Sequence, residues 1–132
     1  MKIEDHLRNI KESIEVIEES IQKGIQDRQR NIGFNTSVAG VEMLEVFLHK
    51  ENLLHPSLIL KHEWFNSEKI AYEKLPFEFP DKKKIINLLC RIQEKRNILC
   101  YSKKRPLLEI QASLNYFNEL KQFFESRGLK WN

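Results

Sequence analysis

The chain has 132 residues, of which 41% are hydrophobic and 31% charged, with four Gly, four Pro and a formal charge of +3. That length makes one domain the default, 1–132, large enough to bury a core without staples, and the balance of apolar and charged residues excludes a disordered chain. So small a net charge does not by itself indicate a nucleic-acid partner, and the scarcity of Gly and Pro favours helices over a turn-rich sheet protein.

The chain opens on Ile3, Leu7, Ile10, Ile14, Ile17 and Ile21, spaced four and three residues in alternation, with Glu, Lys and Arg between them. This heptad seam predicts an amphipathic helix from about residue 2 to about 25, packed on its own domain with part of the seam available to a second subunit. Gly24 and Asp27 mark a break and restart. Phe34, Val38, Val41, Leu44 and Leu48 then recur at helical spacing, with Phe47 widening the stripe. They predict a second helix from about 28 to 52, in which Gly33 and Gly40 cost helix propensity but, with Ala39, allow a neighbour to approach closely.

Residues 53–80 follow no clear period and are punctuated by Pro56, Pro76 and Pro80. A short helix is expected after a cap at Asn66 or Ser67, ending before Pro76. Trp64, Phe65, Phe77 and Phe79 read as a cover over one end of the core, with base stacking the less favoured use. The helical period resumes after Asp81, where Ile85, Leu89, Ile92, Arg96 and Leu99 share a face. Lys82, Lys83 and Lys84 oppose the dipole at the start of this helix. Pro106 suits the first turn of a last helix carrying Leu107, Ile110, Leu114, Phe117, Leu120 and Phe124, and Gly128 suits its end. No segment alternates long enough to make a strand. The expected fold is all-α, an up-and-down bundle of four to five helices.

Chemistry-bearing motifs are few. His6, His49, His55 and His62 are scattered, without an H-E-x-x-H pair or paired cysteine ligands, so no metal site is expected. No phosphate-cradling glycine loop and no G-x-S-x-G elbow occur, and no cofactor is indicated. Cys90 and Cys100 on one helix would lie roughly 15 Å apart along its axis, too far for a disulfide. The charged N-terminal stretch is unlike a signal peptide, and no apolar run approaches the roughly 18 residues of a membrane span. A soluble, cytoplasmic protein with no membrane association is expected.

Arg96 remains. It stands where the stripe asks for Leu or Ile, and a buried guanidinium is costly unless paired. It either lays its stem on Leu89 and Leu99 and reaches water, or meets an acid across the bundle or the phosphate of a ligand. Glu42 is the expected supporting acid, with Glu45 the second choice. Arg91, Lys95, Lys103, Lys104 and Arg105 form a candidate basic rim, which reads equally as a solvated face.

Arg96-Asn97-Ile98-Leu99-Cys100-Tyr101, near the end of the penultimate helix, resembles the R-x(4–6)-H hallmark of the HEPN superfamily, and Glu42 among small and apolar residues resembles that family's second helix. The likeness in layout covers most of the chain, and the motif covers six residues. The resemblance implies a helical domain acting as a homodimer, in which two motifs meet to form one site. Members with the full motif are commonly metal-independent endoribonucleases, some paired with a nucleotidyltransferase partner. There Arg would hold the scissile phosphate, Asn would orient it and His would move protons. Here Tyr101 occupies the His position, and a phenol with a pKa of about 10 is a poor base at neutral pH. The resemblance therefore implies a degenerate or non-catalytic module binding RNA or a nucleotide through Arg96, Asn97 and Tyr101. The active, toxin-like endoribonuclease and a purely structural helical dimer are the alternatives.

Overall fold

The computed structural model describes residues 1–131, and all regular structure among them is helical. Five α-helices follow in order: α1 (Ile3–Lys23), α2 (Gln29–Lys50), α3 (Glu68–Lys74), α4 (Lys82–Leu99) and α5 (Leu107–Glu125), with a 3-10 turn at His62–Asn66. No helix among the described residues is long and apolar enough to cross a membrane.

The four long helices are organised around α2, which packs against α1, α4 and α5. Fourteen of its 22 residues are buried, so it is the central element rather than one wall of the bundle. The paired positions fix the directions. His6 of α1 meets Glu45 of α2, so these two helices run antiparallel. Gly33 faces Leu99 while Gly40 faces Leu89, making α2 and α4 antiparallel as well. Lys84 pairs with Glu119 and Lys95 with Glu109, which sets α5 against α4 in the same way. The long helices therefore alternate up and down around one continuous hydrophobic core.

The two expected glycines do bring helices together. A Cβ on Gly33 would lie 2.9 Å from Leu99 Cβ, and one on Gly40 would lie 3.1 Å from Leu89 and 3.2 Å from Leu120. Both sites are ordinary helix, so the glycines serve close approach rather than an unusual backbone.

The α1 seam differs from its expected form. Its buried line is His6, Ile10, Ser13, Ile17 and Ser20. Ile3, Leu7 and Ile14 are only partly buried against the core, and Ile21 is exposed. Small or polar side chains at the centre of the contact let α1 lie close to α2, so the larger aliphatics straddle the line. Ser20 satisfies its hydroxyl by donating to Val16 O at 2.7 Å.

Phe34 likewise departs from the expected stripe and is 47% exposed. The interior of α2 at this level is filled by Ile32, Gly33, Thr36 and Ser37 instead. Thr36 bonds back to Ile32 O at 2.7 Å, which lets a hydroxyl be buried there.

Several caps follow the sequence. Ser67 accepts from the amide of Ile70 and starts α3, while Gly128 adopts φ +89° just beyond α5. Pro106 stands just before the first residue of α5 rather than within its first turn. The lysine cluster at the start of α4 finds a local remedy. Lys82 is buried, with its ammonium 5.0 Å above the Tyr72 ring and 5.8 Å from that of Phe79, where the ring faces offset the unfavourable dipole. Of the four aromatics expected to cover the core, Phe65 and Phe79 are buried and Trp64 and Phe77 partly so. Phe47 anchors them, meeting Phe79 edge-on and Phe124 at 5.5 Å.

One polar side chain ties the far end of the bundle. Gln29, buried at the start of α2, donates to Leu99 O at 3.2 Å and Lys103 O at 3.1 Å, and accepts from the Arg105 amide at 2.8 Å. It thereby satisfies a carbonyl at the C-terminal end of α4 and closes the α4–α5 turn.

Candidate functional site

Two polar clusters penetrate the bundle. The first is centred on Arg96, which is 8% exposed. The close approach permitted by Gly33 draws this part of α4 against α2. Arg96 Nη1 donates to Ser37 Oγ at 3.1 Å, and its guanidinium carbon lies 5.0 Å from the centre of the Phe34 ring. Among the described residues no carboxylate lies within ion-pairing distance of it. Its partners are a hydroxyl and an aromatic face, both neutral.

Ser37 in turn donates to Gln93 Oε1 at 3.3 Å. The Gln93 amide lies 3.1 Å from His62 Nδ1 and donates to Asn66 Oδ1 at 3.1 Å. Asn97 also donates to Asn66 Oδ1, at 3.1 Å. The 3-10 turn thus lies over α4, joining Asn97 and His62 to the network that holds Arg96. Gln93 and Ser37 went unremarked in the sequence, and Asn66 was read only as a candidate helix cap. The detectable signal was the i, i+4 spacing of Gln93 and Asn97, which places two amides on one side of α4.

The structure does not pair Glu42 with Arg96, and this corrects the expectation. Glu42 belongs to the second cluster, where its carboxylate lies 3.3 Å from His6 Nδ1 and 3.5 Å from Asn9 Nδ2. Periodicity placed Glu42 on a plausible side of α2, but the face next to it is covered by α1 rather than α4. Glu45, the second choice, is also in this cluster. Its Oε1 accepts from the buried Leu60 amide at 2.9 Å, and its Oε2 lies 2.9 Å from His6 Nε2. Burial pushes both carboxyls up to about 7, and burial pushes the His6 imidazole below its ordinary value.

Tyr101 does not join either cluster. It lies in the turn after α4, is 77% exposed and makes no side-chain hydrogen bond among the described residues. The basic rim is divided. Lys95 and Arg105 both pair with Glu109, at 3.8 Å and 2.7 Å, and Lys104 pairs with Asp27 at 2.8 Å. Arg105 holds the Glu109 carboxyl below its usual range, and Lys104 does the same for Asp27. Arg91 and Lys103 are exposed. The two cysteines are free thiols, and burial pushes Cys90 up to about 11 and raises Cys100 as well, so neither is an activated nucleophile.

No family model, no curated protein and no solved structure matches this chain.

Proposed function

We propose that the chain is a HEPN-like helical domain that binds a phosphate-bearing ligand, RNA or a nucleotide, as a non-catalytic module acting as a homodimer. The observation that carries this reading is the state of Arg96. A guanidinium enclosed by a bundle is ordinarily neutralised by a carboxylate. Among the described residues Arg96 is held by Ser37 Oγ and the Phe34 ring, with no carboxylate in ion-pairing distance, so its charge is positioned yet uncompensated there. A phosphate is the complementary partner, because its oxygens accept the paired N–H bonds a guanidinium offers. Phe34, half-exposed beside it, offers a face on which a base can stack. Asn97 and Asn66 supply neutral amide groups close by. Arg91 and Lys103, both exposed, would add long-range attraction at low salt.

The test uses fluorescently labelled single-stranded RNA and nucleotides, titrated at low salt against wild type and Arg96→Met. Affinity is expected to fall by about tenfold or more in the variant, the scale of one lost charge-assisted contact. Its thermal midpoint is expected to equal or exceed that of wild type, because methionine needs no desolvation of a charge. Equal affinity in the two proteins, or none in wild type, would remove the proposal.

The second reading is a metal-independent endoribonuclease paired with a nucleotidyltransferase partner. It is favoured by one observation: His62 connects to Arg96 through Gln93 and Ser37, so an imidazole is available although Tyr101 stands in the family's His position. RNA cleavage in the presence of a chelator, lost in both Arg96→Met and His62→Ala, would establish this reading in place of the first.

A further inference from the structure

The second cluster carries a separate inference. His6 Nε2, Glu45 Oε2 and His49 Nε2 lie within 4.8 Å of one another. All three atoms are buried, and none makes a hydrogen bond. His6 and Glu45 are each 1% exposed. Buried polar groups of this kind are nearly always satisfied, and three orphans facing one point call for a common partner.

The remaining polar atoms explain what that partner is. His6 Nδ1 lies 3.3 Å from the Glu42 carboxylate, which in its ionised form favours the proton on Nδ1 and a lone pair on Nε2. Glu45 Oε1 is occupied by the Leu60 amide, which turns Oε2 towards the histidines. The His6 and His49 rings stack with centroids 6.0 Å apart and planes 25° from parallel. His6 Nε2 and Glu45 Oε2 are 2.9 Å apart, yet their geometry makes no hydrogen bond. With Nδ1 of His6 carrying the proton, His6 Nε2 and Glu45 Oε2 are two acceptors facing each other, with His49 Nε2 beside them. A cation fits such a set.

We propose that His6, Glu45 and His49 bind a single divalent ion of the zinc class. Two imidazoles and one carboxylate are a donor set that zinc accepts, with bonds of about 2.0–2.2 Å. Small rotations of the three side chains bring donors now within 4.8 Å to the separation of about 3.4 Å that tetrahedral bonds of that length require. Glu42 orients His6, and the Leu60 amide orients Glu45, as outer partners do in metal sites. Three protein ligands leave the fourth position open. A cleft of about 300 Å³ reaches His6 and Glu45 between Val41, Ile59 and Leu60, giving the ion a path in and the fourth position access to water. The ligand set spans α1 and α2, with Glu45 and His49 one turn apart on the same face. A bound ion would therefore fasten α1 to the centre of the bundle.

The experiment uses the untagged full chain, stripped with a chelator and dialysed. Zn²⁺ is titrated by calorimetry, and Co²⁺ is added as a spectroscopic probe. One ion per chain, a raised thermal midpoint with Zn²⁺ and the intense visible bands of four-coordinate Co²⁺ are expected. Glu45→Gln preserves volume and the acceptor for Leu60, and His49→Ala alters a half-buried side chain. Each is expected to weaken Zn²⁺ binding by at least about tenfold. Circular dichroism of the stripped proteins confirms that both variants fold, and Asp27→Asn, beyond the opposite end of α1 where Asp27 pairs with Lys104, is expected to bind as wild type does. Absence of a stoichiometric site in wild type, which would leave a shared proton as the occupant, overturns the proposal. So does undiminished binding in both folded variants.

Discussion

Gly33→Val will lower the unfolding free energy by about 2–3 kcal/mol, the usual cost of forcing extra atoms into a packed interface. The new Cβ would stand 2.9 Å from Leu99 Cβ, 3.3 Å from Cys100 Sγ and 3.7 Å from the Arg96 backbone. Leu99 Cβ is the first atom of its side chain and cannot swing aside without moving α4. The small gain in helix propensity, a few tenths of a kcal/mol, does not offset that displacement. Separation of α2 from α4 also pulls Arg96 Nη1 away from Ser37 Oγ, since these residues lie one turn along the same contact. The thermal midpoint should fall by roughly 6–10 °C, and the affinity for RNA or nucleotide should fall with it. A midpoint within a degree of wild type would show that the interface is looser than the contacts imply.

Phe47→Ala will cost more, about 3–5 kcal/mol, and will act differently. Phe47 is 2% exposed and touches both Phe79 and Phe124, so its loss opens a cavity where the covering segment, α2 and α5 meet. It stands fourteen residues beyond Gly33 on α2, about 21 Å along the helix. The ligand affinity of the folded fraction should therefore stay at the wild-type value while the midpoint in denaturant drops. Chemical denaturation combined with binding under native conditions separates the two quantities. An affinity loss as large as that of Gly33→Val would mean that the whole bundle, rather than the α2–α4 contact, positions Arg96.

The helices were legible because each carries a strong period and conventional punctuation. Ser67 and Gly128 mark element ends in both the sequence and the fold. The facing of α1 and α2 was harder to read, because a stripe of isoleucines marks a side of a helix without fixing its rotation to the nearest degree of burial. His6, Ser13 and Ser20 lie on the innermost line of α1, where small size and polar partners matter more than hydropathy. Arg96 was recognisable as out of place, but its partner was not, since Glu42 and Ser37 are both available on α2 and only the packing of α1 and α4 around α2 chooses between them. The gathering of His6 with Glu45 and His49 was invisible for a similar reason. Two of the three lie at i and i+4 on α2, and the third enters only through the register of α1, far away in sequence.

Gln29 gives the turn between α4 and α5 its shape from a helix some seventy residues earlier, through bonds to Leu99, Lys103 and Arg105. The same turn holds Lys103 and Lys104 in sequence, two sites at which trypsin cuts, whereas the Arg105–Pro106 bond resists it. A protease needs several residues of backbone drawn out into its cleft, and this backbone is fastened to α2. Nicking there requires α2 to release the turn first, so the rate of cleavage under native conditions counts the openings of the α2–α4 contact. Gly33→Val should accelerate that first cut, and an RNA or nucleotide seated on Arg96 should slow it. A brief tryptic digest thereby becomes a readout of the proposed ligand face.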